Sequence, residues 1–474
     1  MTDILRLLDA GIEYLILAYF LLLNTFYFIF NLLSLAGVLR YRRMVTFVRF
    51  GEIFRMPIVK PVSVIVPAFN EGPGIVDSIR SLLSLRYPVF EVVVVNDGST
   101  DSTLARLVEA FDLRPSKAVF RRTISTEPIR GIYRSAVQPK LVVIDKVNGK
   151  KADAMNAGLN ISRYPLFCAV DGDSVLEKDA LLKVVRPFLE DPERTIGAGG
   201  IIRLSNGCAV REGQVATVGI PRNWIARFQI LEYLRAFLGG RLGMSMMRST
   251  LIISGAFGIF RKDIAMACGG YRTASITEDL DLVVRMQKHM HEQKKPFRIT
   301  FIPDPICWTE APEDLRILAR QRSRWHRGLI QTLVRFRRMI FNPRYGATGL
   351  FAMPFYAVFE MAGPYIECLG YVLFASHLVL GQVNYPFAVT FFFVAVFYGT
   401  FVSLLAILLE ELSAHRYPKV KDILTLTAAG ILENLFYRQY LSVVRAWSLV
   451  DYLKGKNEWG AMDRRGFAKA GETP

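Results

Sequence analysis

Between Gly11 and Val38 the chain carries one formal charge, Glu13, and the apolar run Tyr14 to Leu39 exceeds the roughly 20 residues that a helix needs to cross a bilayer. A segment of that kind predicts a membrane-bound chain. It does not read as a cleaved leader, because the run is too long and its cations follow it. Arg40, Arg42, Arg43, Arg49, Arg55 and Lys60 come after it, whereas only Arg6, beside Asp3 and Asp9, comes before. The preference of cations for the inner face predicts the N-terminus outside and everything from Arg40 onward in the cytoplasm.

Of the 474 residues 52% are apolar and 21% charged, which excludes a disordered, collagenous or disulfide-stapled chain. The formal charge of +17 suits an anionic membrane face or a phosphorylated substrate. With spanning segments present, no nucleic-acid partner is expected. The cysteines Cys168, Cys208, Cys268, Cys307 and Cys368 are far apart in the chain and are expected to be reduced, small apolar residues.

Residues 40–310 carry the alternation that predicts an α/β domain. From residue 61, PVSVIVPAFN, a Gly/Pro turn, IVDSIRSLLSL and FEVVVVNDGSTD follow one another, and such βαβ units place functional loops at the C-terminal ends of the strands. Residues 311–345 form a basic amphipathic stretch. In it Leu318, Trp325, Leu329, Leu333, Phe336 and Ile340 share one helical face, with Arg316, Arg320, Arg327, Arg335, Arg337 and Arg338 around it. A helix of that pattern directly before a spanning segment is expected at the membrane interface. Residues 346–453 then hold two spanning runs, about 350–378 and 386–409, and a third, Ile423 to Leu453, interrupted by Glu433, Asn434, Arg438 and Arg445. A broken or re-entrant pair of half-helices would keep the basic tail, 454–474, in the cytoplasm. With residues 1–39 as the first span, helical segments flank the domain on both sides.

The chemistry-bearing residues cluster where strands end. Asp171-Gly172-Asp173 follows the apolar run Leu166 to Val170, and two carboxylates flanking a glycine can present a hard divalent ion to a diphosphate. Pro67-Ala68-Phe69-Asn70-Glu71, Asn96-Asp97-Gly98-Ser99 and Gly149-Lys150-Lys151 precede that turn. Ser254-Gly255-Ala256, Thr277-Glu278-Asp279 and Gln321-Arg322-Ser323-Arg324-Trp325 follow it. Taken singly, each has a bland explanation: a surface turn for Asp171 to Asp173, a helix N-terminus for Thr277 to Asp279, an interface anchor for Trp325.

In this order the motifs resemble those of the processive, membrane-integrated family-2 glycosyltransferases, the group of cellulose, chitin, hyaluronan and poly-N-acetylglucosamine synthases, over about residues 61–330. The resemblance implies a Rossmann-like GT-A catalytic domain, a UDP-sugar donor, Mg²⁺ or Mn²⁺, and inversion at the anomeric carbon. It implies that Ala68, Glu71 and Asp97 hold the uridine, and that Lys151 lies near the diphosphate. Asp171 would be the nucleotide-side carboxylate and Asp173 the metal ligand, both in the metal site. Asp279 of the Thr277-Glu278-Asp279 motif would be the general base. Arg322 and Arg324 would serve the pyrophosphate, with Trp325, Gln321, Ser254 and Gly255 on the acceptor side.

Trp459, Arg464 and Arg465 resemble the gating loop of hyaluronan and chitin synthases, although Ala461, Met462 and Asp463 depart from its middle residues. A basic tail against anionic lipid is the alternative. Glu360 and Glu367 lie on one face of a spanning helix, where carboxylates face a polar path or a partner such as Arg438 or Arg445. The expected partners are therefore the donor, a polysaccharide or oligosaccharide acceptor and the lipid bilayer of the inner (plasma) membrane. Single transfer to a lipid-linked acceptor, or an inactive scaffold, are the competing functions. Sugar, linkage and partner subunits are not legible.

Overall fold

The computed structural model describes residues 2–47, 59–117, 119–211 and 213–455. Among these, the strands in chain order are β1 (Val62–Ala68), β2 (Phe90–Asp97), β3 (Leu113–Pro115), β4 (Ile129–Ser135), β5 (Leu141–Lys146), β6 (Leu166–Val170), β7 (Val175–Leu176), β8 (Thr195–Leu204), β9 (Ala209–Arg211), β10 (Gln214–Thr217), β11 (Phe257–Arg261) and β12 (Arg298–Thr309). β9 and β10 pair with each other, and the rest join one sheet in the order β3-β4-β5-β2-β1-β6-β11-β8-β12-β7.

The centre of that sheet, β5-β2-β1-β6, is parallel. Parallel strands are covered on both faces, and every residue of β2 is buried. Alternate side chains serve opposite layers, as a period of two requires. Val64, Val92 and Val94 pack with the helices Ile75–Leu83 and Ala180–Glu190 on one side. Ile65, Val93 and Val95 pack with Lys150–Ile161 and Glu278–Glu292 on the other. Because β1, β2 and β6 run the same way, Ala68, Asp97 and the Asp171 turn all emerge at one edge, where open α/β sheets bind ligands.

Three helical stretches among the described residues are long and apolar enough to cross a membrane: Ala10–Met44, Thr348–Leu380 and Tyr385–Ser413. The first helix, Thr2–Phe47, does not stop near Leu39 where its apolar run ends. Its arginines are good helix formers, and Tyr41 on the extension donates to Asp304 in β12. Gly243 allows the short helix Leu242–Met246 to lie against this first helix: a Cβ there would stand 2.6 Å from the Phe30 carbonyl oxygen. Arg203 in β8 and Glu410 in the third stretch form a buried ion pair, 2% and 1% exposed, which ties the sheet to the helices.

The last apolar run is divided into Val420–Leu432 and Tyr437–Leu453. Glu433 at the break is fully buried and accepts from Arg235 and from Ser403 Oγ. Ahead of the second stretch, the amphipathic segment forms the helix Leu315–Arg335, capped by Asp314. Its cations are not all on a wet face, since Arg327 is buried and Arg335 pairs with the buried Asp281 at 2.9 Å. All five cysteines are unpaired.

Candidate active site

A cavity of about 340 Å³ opens at the sheet edge, and most of the residues singled out by sequence line it. After β6 the chain turns tightly, Ser174 N–H donating to the Asp171 carbonyl at 3.0 Å, so that Asp171 and Asp173 reach the cavity. Lys151, in the first turn of the Lys150–Ile161 helix, meets them with Nζ 2.5 Å from Asp171 Oδ1 and 3.3 Å from Glu278 Oε1. Burial alone would push the Lys151 ammonium down, but Asp171, Glu278 and Asp279 outweigh it and hold it above its ordinary value. Burial pushes the Glu278 carboxyl up, against the pull of Lys151.

Asp279 is held on both oxygens. Oδ2 accepts from the Gly255 N–H at 2.8 Å and Oδ1 from the Leu280 N–H at 2.8 Å. Gly255 packs closely, since a Cβ would stand 3.1 Å from Lys151 Nζ and 3.2 Å from Asp279 Oδ2 and those side chains would have to shift slightly. The Ser254-Gly255 turn therefore reaches the Asp279 carboxylate. Thr277 and Glu278 line the same wall, and the Thr277 hydroxyl is buried without a hydrogen-bond partner.

The Leu315–Arg335 helix closes the opposite wall with Gln321, Arg322, Arg324 and Trp325. Trp325 is 38% exposed, which leaves an indole face to the cavity. Arg322, expected near the diphosphate, is engaged by its own neighbours. It is 1% exposed, donates to Glu232 at 2.8 Å and lies 4.3 Å from the Trp325 ring centroid. A guanidinium so engaged holds the indole in place, and Arg324 lines the cavity beside it.

The uridine-side residues do not line this cavity. Ala68 is buried at the end of β1, and Glu71 lies behind the Asp171 turn, its Cγ 3.7 Å from where a Gly172 Cβ would be. Asp97 is 3% exposed, and its Oδ1 already accepts from Lys146 at 2.6 Å and from the Gly149 N–H at 3.0 Å. Burial pushes its carboxyl up, against those donors. Contact with a base would fall to the other oxygen. Trp459, Arg464 and Arg465 lie outside the described residues.

Sequence reasoning missed Glu232 and Arg241. Both line the cavity, and both line a second one of about 310 Å³ between the helices, together with Tyr356, Glu360 and Arg445. The two are joined there by π-helical turns, Leu234–Arg241 and Tyr356–Met361, a geometry frequent at functional sites. Glu360 and Glu367 face hydroxyls rather than arginines: Tyr27 donates to Glu360 at 2.5 Å, and Tyr371 and Ser442 donate to Glu367.

No group of three or more His, Cys, Asp or Glu able to hold a metal occurs among the described residues. Asp171 and Asp173 nevertheless fit Mg²⁺ or Mn²⁺, since such ions take one or two carboxylates and complete their shell with waters and substrate phosphates.

The pattern described as "Glycosyltransferase like family 2" matches residues 60–328. The chain belongs to glycosyltransferase family 2. A poly-β-1,6-N-acetyl-D-glucosamine synthase of Staphylococcus epidermidis is 25% identical over 382 residues, 80% of this chain and 81% of the relative. One from Staphylococcus aureus (strain COL) is 26% identical over 276 residues, 58% and 56% of the two chains. Among solved structures, the mannosyltransferase PcManGT from Pyrobaculum calidifontis, in complex with GDP-Man and Mn²⁺, is similar with a TM-score of 0.51. It has 19% identity, over 89% of this chain and 99% of that one. The expected GT-A architecture of this family-2 transferase is thus shared with an enzyme of low sequence identity.

Proposed function

We propose that the chain transfers a sugar, with inversion, from a UDP-sugar to a growing β-linked polysaccharide at the inner (plasma) membrane. The donor is UDP-glucose or UDP-N-acetylglucosamine, the catalytic domain faces the cytoplasm, and the product stays bound between additions and passes among the spanning helices. One observation carries this: the Asp279 carboxylate and the Lys151–Asp171 pair face a single cavity that shares its inner wall with a cavity between the helices. The staphylococcal relatives favour N-acetylglucosamine.

The step follows from the geometry. A sugar hydroxyl is far too weak an acid to ionise at neutral pH, so its proton must leave as the new bond forms. Asp279, fixed by Gly255 and Leu280, accepts that proton while the acceptor oxygen bonds to the anomeric carbon and the bond to the diphosphate breaks. A positioned carboxylate contributes on the order of 10²- to 10⁴-fold. Lys151 and Arg324 stabilise the charge that develops on the leaving UDP. A divalent ion held by Asp171 and Asp173 would supply further positive charge to the diphosphate. Trp325 offers its face to the acceptor ring, with Arg322 and Gln321 fixing its orientation.

The test is incubation of the purified full chain with a panel of radiolabelled UDP-sugars and Mg²⁺ or Mn²⁺, followed by sizing and enzymatic digestion. A ladder or high polymer from one donor is expected. A single labelled sugar on a lipid, with no longer product, would replace processive synthesis by single transfer.

A further inference from the structure

A cluster of cationic side chains lies away from the candidate active site. A cleft of about 850 Å³ is bounded by the end of the first spanning helix, through Gly37, Arg40 and Met44, and by Arg344, Ala347 and Thr348 at the start of the second. Both walls leave the hydrocarbon at this point, so the cleft sits at the level where lipid headgroups begin. Arg248, Lys294, Lys295 and Arg298 close it from the side of the catalytic domain. None of these four, nor Arg40 or Arg344, makes a side-chain ion pair among the described residues. The carboxylates that line it do little to offset them. Glu190 is taken by Arg186 at 2.6 Å, and Asp191 Oδ1 accepts from the Arg194 backbone.

The floor is built for a ligand with an apolar part and polar oxygens. Leu242, Met246, Phe301 and Ile302 supply apolar surface, while Thr250 and Thr300 line the cleft with buried hydroxyls that have no hydrogen-bond partner. Buried hydroxyls are ordinarily satisfied, and an unpaired one is costly. Unpaired cations in number, orphaned donors and an apolar floor at the bilayer boundary match one chemistry: a phosphodiester headgroup whose glycerol and first acyl carbons lie against the apolar side.

We propose that this cleft seats the headgroup of an anionic glycerophospholipid, a site separate from the sugar-transfer cavity and in contact with the ends of two spanning helices. The chemistry recognised is the phosphate, and the membrane rather than the cytosol is its source.

The experiment places the full chain in zwitterionic nanodiscs and titrates fluorescent phosphatidylglycerol, reading saturable energy transfer from the protein's tryptophans. Arg248→Gln with Lys294→Gln and Lys295→Gln removes three cations that take no part in sugar transfer. Each cation near an anionic headgroup strengthens binding by about fivefold, so a loss of roughly tenfold or more is expected. A control variant, Arg121→Gln with Arg130→Gln and Lys178→Gln, removes exposed cations elsewhere and should bind within about twofold of the parent. Equal loss in the control would mean undirected attraction and would overturn the site. Unchanged binding in the cleft variant would overturn it as well. Displacement by millimolar glycerol 3-phosphate or inorganic phosphate would assign the cleft to a soluble ligand and remove the lipid. Circular dichroism of both variants shows that they fold.

Discussion

Two lysines five positions apart each sit between two carboxylates, and they are put to different uses. Lys146, 0% exposed, holds Asp97 and Asp153, each at 2.6 Å. Lys151, 19% exposed, holds Asp171 and Glu278. In the first cluster each carboxylate also accepts from a backbone N–H, of Gly149 and of Glu127. The second lines the cavity. Similar residue types thus form a buried clamp or line an open cavity according to how far the fold buries them.

Divalent ions distinguish the two clusters most sharply. The proposed function puts a metal at the open one alone, so excess EDTA should abolish transfer and leave the thermal unfolding midpoint in detergent where it was. Full turnover in the chelator would erase the distinction. Lys146→Met comes next. Leaving Asp97 and Asp153 buried without their cation should cost about 3–5 kcal/mol of stability, read as a large fall in midpoint. Lys151→Met should lose transfer with a much smaller fall. Equal midpoints for the two variants would show that the closed cluster is not a clamp.

Asp279→Asn tests the chemistry beside the open cluster. Transfer should drop by roughly 10²-fold or more, while UDP-sugar affinity measured by calorimetry stays within a few-fold. Loss of donor binding with normal single-turnover transfer would make Asp279 a nucleotide contact instead.

The smallest effect is in pH. Burial raises the Glu278 carboxyl above 4.5, its ordinary value. A carboxyl raised in the folded state adds most stability below its unfolded pKa, and that contribution is lost as pH rises through the folded value. The parent should therefore be most stable relative to Glu278→Gln below about pH 4.5, its advantage shrinking toward neutrality. An advantage that grew with pH would mean that Lys151 outweighs burial at this carboxyl.

What could be read from the sequence were the residues just beyond apolar strands. Asp171, Asp173 and Asp279 stand where a buried run or a helix start leaves them little freedom, and the cavity collects them. Less legible was the difference between neighbours. Arg322 and Arg324 differ by two positions on one helix, which is about half a turn, and only packing against Glu232, 90 residues earlier, decides which of them is buried. The place of Asp97 after β2 gives no hint that one of its oxygens accepts from Lys146, 49 residues away. Glu232 and Arg241 gave no signal, since their significance comes from Tyr356, Glu360 and Arg445, which meet them only in the folded chain.

The Arg203–Glu410 pair bears on modularity. Grafting the catalytic sheet of one family member onto the spanning helices of another is an obvious way to mix donor choice with export. In this chain such a hybrid would inherit one half of a buried couple and leave it facing whatever the foreign helix supplies, at a penalty of about 3–5 kcal/mol. The pair couples two segments 207 positions apart. A recombination point that respects it must carry residues 203 and 410 together.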